Sequence, residues 1–549
     1  MLFFAAEKKG RNSADARSPR PHGARYGEMS LIPESKLSAQ ILTKIEDIVG
    51  AANVSVKETD RAAYSRDLWP QGQIWMMHLD IPHPPDAVVW VESEEQIIGL
   101  LKLANEEKFP VIPFAAGSGV CGGALPLAGG VVMDIKKMAR IIEINDKTLT
   151  VTAEAGIIGQ HLEMELNRKG YTMGHFPSSI YCSALGGYLA ARSAGQLSAK
   201  YGKIEDMVMG MRIVLPDGSK AQTISSPRSA AGPNWAQVII GSEGTLGVIT
   251  QATMRIYPYP ESRRYSSFIF HGVHDALESI REIMRAGVVP AAVRLYDELD
   301  TILIGSKKED SVEAPVRLEE EHESIVKKFM HGFFDAFQNI MLGVPKFSGK
   351  MAEKVKGKCL LVLTFEGTPR ITETELAVSM DICKKNNGVD AGEEPAKRWW
   401  ENRYNVSYNQ SRVFDRGSFV DTIEVCTTWD KVEQLYHDLR KAVSQRAFIM
   451  AHFSHAYIHG CSIYFSVVGR GKTEEDTLKL YREIWDGAME EALKAGATVT
   501  HHHGVGLHKA EYMKRELGRL APLYQSVKDV IDPNNILNPG KMGLRPFNK

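Results

Sequence analysis

Histidine is the side chain best suited to moving protons near neutral pH, and this chain gathers it in two places. One is the run Thr500-His501-His502-His503-Gly504-Val505-Gly506. The other is Ala451-His452-Phe453-Ser454-His455-Ala456-Tyr457-Ile458-His459-Gly460, followed closely by Ser462-Ile463-Tyr464-Phe465. Imidazole and phenol both act as general acids or bases once their pKa values are tuned, so Tyr464, His501, His502 and His503 are candidate catalytic groups. Residues 497–500 read as the end of a strand, along which side chains alternate. His501 and His503 then share one face and His502 takes the other. A surface histidine tract, or one core histidine with two passengers, is the plainer reading. Gly504 and Gly506 speak against the first, because they mark a close-packed turn of the kind found beside a ligand.

Such groups must act on something held in place, and the elements able to hold a ligand lie far upstream. Residues 113–123 read Pro113-Phe114-Ala115-Ala116-Gly117-Ser118-Gly119-Val120-Cys121-Gly122-Gly123, four glycines in eleven positions. Glycine allows φ > 0 and lets backbone approach a ligand, and successive free N–H groups form an anion-binding concavity. The spelling Gly117-x-Gly119-x-x-Gly122 fits a dinucleotide fingerprint; a tight turn between strands fits it as well. A nicotinamide Rossmann unit needs a helix to open on the third glycine. Here Ala124-Leu125-Pro126-Leu127 leads into another apolar strand at 131–135, so the Rossmann reading fails. Two more glycine-rich elements follow. Gly186-Gly187 opens an apolar run like a helix start brought near a ligand, and Gly241-Ser242-Glu243-Gly244-Thr245-Leu246-Gly247-Val248-Ile249-Thr250 runs into a strand. Together they suggest a long ligand threaded through one domain.

At 549 residues, 44% hydrophobic and 24% charged with net charge −1, the chain reads as a soluble globular protein of two or more domains. It offers no basic surface for nucleic acid. No apolar run reaches the roughly 18 residues a membrane span needs; peripheral attachment stays open. Six cysteines without a C-x-x-C pair suggest free thiols in a reducing compartment, hence a cytoplasmic location. Residues 1–28 carry Arg11, Arg17, Arg20 and Arg25 without hydrophobic periodicity. They are expected to form a disordered tail, an organellar transit peptide being the second reading. Residues 29–80 are expected to be a helical segment, with a helix at 38–52. Ser93 and Gln96 form a capping box ahead of an apolar face of Ile97, Leu100, Leu101 and Ala104. The runs 141–144 and 149–153 alternate about Asn145-Asp146 as a hairpin does. Helices are expected at 329–342, 372–387 and 510–530, a buried strand at 359–365, and a charge-dense solvated insertion at 306–324.

Several ordered segments resemble the vanillyl-alcohol-oxidase (PCMH-type) family of FAD enzymes. They are the 114–127 loop, Gly174-His175-Phe176-Pro177-Ser178-Ser179, the 184–195 stretch, Ile204-Glu205-Asp206, the 241–250 stretch and the closing Asp532-Pro533-Asn534-Asn535-Ile536-Leu537-Asn538-Pro539-Gly540-Lys541-Met542. The resemblance implies an α+β chain, with a PCMH-type FAD-binding domain at 81–260 and a cap domain carrying an antiparallel sheet at 261–505. A C-terminal helix at 506–549 would return to the FAD domain. It implies that Pro113, Phe114, Ala115, Ala116, Gly117, Ser118, Gly119 and Val120 cradle the pyrophosphate. His175, Pro177, Ser178, Ser179, Gly186, Gly187, Arg192, Ser193, Glu243, Gly244, Gly247, Val248 and Ile249 would complete the cofactor site. Members that attach the flavin covalently often use a histidine in or near this loop. None stands between Pro113 and Gly123, so non-covalent FAD is expected.

Two subfamilies are resembled in different stretches. The 174–179 segment, Tyr201-Gly202-Lys203-Ile204, Arg294-Leu295, Ile463-Tyr464-Phe465 and the histidine run look like alkylglycerone-phosphate synthases. That implies that Tyr464 and the histidines handle a substrate proton beside flavin N5, and that Arg294 and Arg412 hold a phosphate or carboxylate. Cys121-Gly122-Gly123-Ala124-Leu125-Pro126-Leu127 looks more like the glycolate and D-lactate dehydrogenases, where a His-x6-His pair and a later Glu-His-Gly bind a divalent metal. His452 and His459 keep that spacing; the Asp-Gly-Asn between them is absent, and His502 stands in the place of the Glu. Zinc accepts imidazole ligands. The expected function is a flavin oxidoreductase that oxidises a 2-hydroxy acid or related alcohol by proton abstraction and hydride transfer to N5. The alternative is a non-redox transferase exchanging an acyl for an alkyl group on dihydroxyacetone phosphate. The substrate is a small molecule in either case, the electron acceptor is left open, and a homodimer is compatible with the sequence.

Overall fold

The computed structural model describes residues 32–77, 80–306, 357–405 and 418–548. The tail expected at 1–28, all but the first residue of the 306–324 insertion, the helix expected at 329–342 and Arg412 lie outside them. Among the described residues, strand Ala87–Trp90, helix Glu94–Glu107 and strand Val111–Phe114 open the β-α-β unit of the first half. Ser93 Oγ accepts the N–H of Gln96 at 3.3 Å, and Gln96 Oε1 accepts the N–H of Glu92 at 2.7 Å. The cap therefore closes one residue earlier than a standard box. The helix expected at 38–52 spans Ala39–Val49, where Gly50 ends it at φ 87°.

Strands Ala87–Trp90 and Val111–Phe114 both run parallel to Val131–Asp134, which lies between them; Val54–Ser55 adds an antiparallel edge. The glycine-rich loop is thus the connection between two parallel strands, made without a helix. A second, antiparallel sheet orders Ile141–Asn145, Thr150–Glu154, Val248–Arg255, Val208–Val214 and Lys220–Gln222. Its first two strands are the expected hairpin. Both sheets pack on one core that includes Val89, Leu100, Val131, Val151 and Met254.

The third sheet is antiparallel and seven-stranded. Its order is Val389–Gly392, Ser262–Phe270, Cys359–Gly367, Ala292–Tyr296, Phe448–Tyr457, Gly460–Gly469 and Phe419–Thr428. Side chains alternate along each strand, and here the alternation sorts core from cavity. Ile463, Phe465 and Val467 enter a second core with Leu361, Phe453 and Trp485, while Tyr464, Ser466 and Val468 line a cavity on the other face. Leu361 and Leu363 against Leu360 and Val362 divide in the same way. Helices Val273–Arg285, Trp429–Ser444 and Glu474–Lys494 cover the core face.

The helix expected at 510–530 is two helices, Ala510–Leu517 and Ala521–Ile531, because Gly518 at φ 54° interrupts the ladder. The chain beyond them re-enters the first core through Ile536 and Leu537. There the N–H of Val111 donates to Ile536 O at 2.8 Å and the N–H of Asn538 to Val111 O at 2.9 Å. No helix among the described residues is long and apolar enough to cross a membrane.

Candidate active site

One cavity of about 1700 Å³ joins the glycine-rich elements to the histidines. Of the residues singled out in the sequence, it is lined by Pro113 through Val120, Pro177, Ser178, Ser179, Gly186, Gly187, Ser193, Glu243, Gly244, Gly247, Val248 and Ile249 at one end. Arg294, His452, Tyr464, His502 and His503 line the other. Gly117 has φ 63°, a conformation open to glycine, and a Cβ there would lie 2.4 Å from the Phe114 ring. Gly187 brings the start of the Leu185–Ala191 helix up to Ala115, with its Cβ position 3.5 Å from the Ala115 methyl. A long dinucleotide fits a groove floored this closely by backbone.

Two expected cofactor contacts fall away. Arg192 turns out of the cavity: its guanidinium donates to Gln237 Oε1 at 2.9 Å and to Gln237 O at 2.6 Å. His175 is buried behind the wall, its Nε2 2.8 Å from Ser193 Oγ, and it does not line the cavity. The metal pair falls away as well. His459 is exposed in the turn that joins strands Phe448–Tyr457 and Gly460–Gly469, five strand positions and two turn residues beyond His452, or roughly 20 Å away. His452 already has both ring nitrogens engaged. Arg294 donates to Nε2 at 2.5 Å and Nδ1 faces Asp300 Oδ2 at 3.3 Å, so a cation here would meet a guanidinium. No group of three metal-ligating side chains occurs among the described residues.

The histidine run does not continue a strand. It bends, so that His502 and His503 both reach the cavity while His501 lies behind them, which replaces the expected sharing of one face by His501 and His503. Glu424 imposes the bend. Its Oε1 accepts the N–H of His503 at 2.9 Å, the N–H of His502 at 3.3 Å and the Thr500 hydroxyl at 2.6 Å, while Lys509 Nζ donates to Oε2 at 2.6 Å. Burial alone would raise the Glu424 carboxyl, but the Lys509 ammonium beside it holds it well below the usual carboxylate range. A second buried carboxylate fixes the turn that follows. Glu243 accepts the N–H of Val505 at 2.6 Å and that of Gly506 at 2.9 Å. Burial pushes this carboxyl up to about 7.

Around this frame the reactive groups converge. The Tyr464 ring stacks on His452 with centroids 4.7 Å apart and lies 6.0 Å from His502 and 5.6 Å from His503. Burial holds the His502 imidazole well below its ordinary value of 6.5, with His503 and His501 adding to the effect. It brings His503 down to about 4 and raises the Tyr464 phenol to about 12. At neutral pH His502 is therefore a neutral base and Tyr464 a neutral donor. The Nε2 of His502 has no hydrogen-bond partner among the described residues, and its ring faces the cavity. Arg294 Nε is likewise buried without a partner, a donor left over for an anion.

Sequence reasoning missed Glu424, Lys509 and His455. His455 is buried, donating from Nε2 to Gly195 O at 3.1 Å while Nδ1 accepts from Ser454 Oγ at 2.9 Å. It sits 5.3 Å from the His502 ring. Its place in the 452–459 stretch was the available signal. Gly506, by contrast, was legible as a close approach: its φ is 53° and an added Cβ would lie 2.0 Å from Cys121 O. Gly506→Ala is expected to lower stability by about 2–3 kcal/mol and to reduce bound flavin, both read from urea unfolding and the absorbance of the purified protein.

A two-domain flavoprotein architecture with a cavity lined by histidine, tyrosine and arginine at the inner face of its larger sheet is the class this fold defines. Residues 85–223 match the FAD binding domain and residues 259–542 match the C-terminal domain of FAD linked oxidases. The chain belongs to the FAD-linked oxidase family, and it is an enzyme of that family. It is 31% identical over 475 residues to the alkyldihydroxyacetonephosphate synthase of Dictyostelium discoideum, covering 84% of this chain and 74% of that one. It is 25% identical over 519 residues to glycolate oxidase subunit GlcD of Bacillus subtilis, covering 93% and 98%. Among solved structures, an alkyldihydroxyacetonephosphate synthase superposes with TM-score 0.75 at 25% identity, covering 93% of this chain and 87% of that one. The expected α+β fold, with its PCMH-type FAD-binding half and antiparallel-sheet cap, is the fold observed.

Proposed function

We propose that this enzyme holds FAD non-covalently and oxidises the hydroxyl-bearing carbon of a 2-hydroxy acid or a related anionic alcohol. The observation that carries the proposal is the continuity of one cavity, from the glycine-floored groove to His502, Tyr464 and Arg294. Residues 113–120, Ser178, Ser179, Gly186, Gly187 and Glu243–Ile249 would hold FAD, which supplies, when bound, an electrophilic ring position able to accept hydride. Arg294 takes the carboxylate through the Nε that no protein group uses, and His452 keeps the guanidinium in place from the other side. His502 takes the hydroxyl proton at Nε2. Tyr464 donates its phenolic hydrogen to the same substrate oxygen region, and the apolar walls around Ile249 and Val293 keep water away. Anaerobic addition of glycolate, D-lactate and longer 2-hydroxy acids should bleach the flavin absorbance with at least one of them.

A second reading stays specific enough to test. The histidine run and the synthase likeness favour exchange of an acyl for an alkyl group on dihydroxyacetone phosphate, with Arg294 on the phosphate. An absorbance unchanged by every hydroxy acid, together with turnover of acyl-dihydroxyacetone phosphate and a fatty alcohol, selects that reading. Under either reading, acid precipitation should leave the yellow colour in the supernatant, because no histidine stands in the 113–123 loop. Colour retained in the pellet would show a covalent bond.

A further inference from the structure

The mechanism leaves two hydrogen-bonded polar groups near the site, His501 and Tyr457, without a task. His501 does not line the cavity, yet its Nδ1 lies 2.9 Å from Nδ1 of His502, and its Nε2 lies 2.8 Å from the hydroxyl of Tyr457. Tyr457 is the last residue of strand Phe448–Tyr457, partly exposed and next to the exposed turn residues Ile458 and His459. The chain His502–His501–Tyr457 therefore starts at a cavity-facing nitrogen and ends at a partly exposed residue beside an exposed turn. Lys203 keeps the middle member in place by donating from Nζ to His501 O at 2.6 Å.

Two nitrogens 2.9 Å apart cannot both carry hydrogen and still bond, so one hydrogen is shared between the two Nδ1 atoms. That fixes two arrangements of the whole chain. In one, His502 carries its hydrogen on Nδ1, leaving Nε2 bare toward the cavity, and His501 donates from Nε2 to the tyrosine oxygen. In the other, Tyr457 donates to His501, His501 donates from Nδ1, and Nε2 of His502 carries the hydrogen.

We infer that His501 and Tyr457 form a proton relay that drains the substrate proton from His502 to solvent. This rests on the oxidation reading above. As the substrate hydroxyl gives its proton to Nε2 of His502, the Nδ1 hydrogen of His502 passes to Nδ1 of His501. The Nε2 hydrogen of His501 passes to the Tyr457 oxygen, and the original phenolic hydrogen leaves to water. One proton enters at His502 and one leaves at Tyr457; each ring ends neutral in its other tautomer, and no electrons move along the chain. The relay answers a need set by burial, since a charged imidazolium in this site is costly. Handing the proton on avoids holding the charge. The charged and titratable groups around the relay are Lys203, Glu205, Asp206, Glu424, Lys509, His455 and His503, with the thiols Cys426 and Cys461 beside Tyr457. None of these lies between the three relay members.

Two measurements test it. In holoenzyme labelled with 15N-histidine, with no substrate present, the shared hydrogen should give a through-bond coupling between two Nδ1 nitrogens that vanishes in His501→Asn. Two Nδ1 atoms that both carry hydrogen, or both lack it, overturn the relay. In turnover with the hydroxy acid that bleaches the flavin fastest, Tyr457→Phe should lower kcat about tenfold at unchanged KM. Added imidazole buffer should restore the rate, and proton release to a pH indicator should lag behind bleaching. A purely structural role for Tyr457 would alter KM or stability and would not respond to buffer. A Tyr457→Phe enzyme whose kcat stays within about twofold of the parent at every buffer concentration, against the tenfold loss expected, sinks the relay. A parent flavin that no acid bleaches brings down the oxidation reading instead, and there the coupling alone decides the relay.

Discussion

Replacing Lys509 by Met should cost the enzyme about 3–5 kcal/mol of stability, the largest single-residue loss expected outside the hydrophobic cores. Lys509 and Glu424 are both fully buried, 2.6 Å apart. Without the ammonium, Glu424 remains a carboxylate in an apolar interior, or it takes a proton and loses its grip on the loop. It also anchors the N–H groups of His502 and His503, so activity should fall together with stability. The double variant Glu424→Gln/Lys509→Met removes the stranded charge and should recover part of the stability without the activity. The sign with pH follows from the depressed carboxyl. Its stabilising effect is complete above the unfolded value of 4.5 and fades as pH falls below it. Urea unfolding of parent and Lys509→Met should therefore converge in acid and differ most at neutral pH. A constant difference across pH 3–7 would contradict the assignment.

His502→Ala should lower kcat/KM by about 10²–10⁴-fold, the usual worth of a positioned general base. Tyr464→Phe should cost less, because it removes a donor and leaves the base. The pH dependence of the parent is the sharper test. A base is active when unprotonated, and burial together with His503 and His501 holds the His502 imidazole well below 6.5. The acid limb of kcat/KM should thus lie well under that value and disappear in His502→Ala. An acid limb at the free-imidazole position that survives the substitution would move the base elsewhere.

What could be read in the sequence, and what could not, divides by how local the requirement is. Gly117 and Gly506 announce themselves because a positive φ and a close approach disfavour every other residue type. Tyr464 announces itself less directly. The alternation along 463–468 places it opposite Ile463 and Phe465, but which face holds the cavity depends on helices that pack from far along the chain. Spacing misled at His459. A fixed interval between histidines signifies a site only if the intervening chain stays on one element, and here a hairpin turn intervenes. The alternation carried on from the strand expected at 497–500 into the histidines failed for a similar reason: Glu424, well upstream on the neighbouring strand, captures the loop N–H groups that a strand would have spent on a partner. Glu424 and Lys509 were themselves illegible, since a carboxylate and an ammonium so far apart in sequence look like any two surface charges until the fold buries them. Arg192 resembled a flavin contact in its motif, yet Gln237 takes its guanidinium.

The closing segment has a bearing on how the enzyme comes into being. Asn538 donates to Gly123 O at 3.0 Å across 415 residues and to Glu243 O at 2.7 Å, and buried Lys541 donates to Leu125 O. A ribosome delivers the glycine loop some 415 residues before these clamps. The groove therefore stays unfastened until residues 538–541 have been made and fold back onto it. A segment made late thus fastens the loops at 123–125 and 243 that were made early.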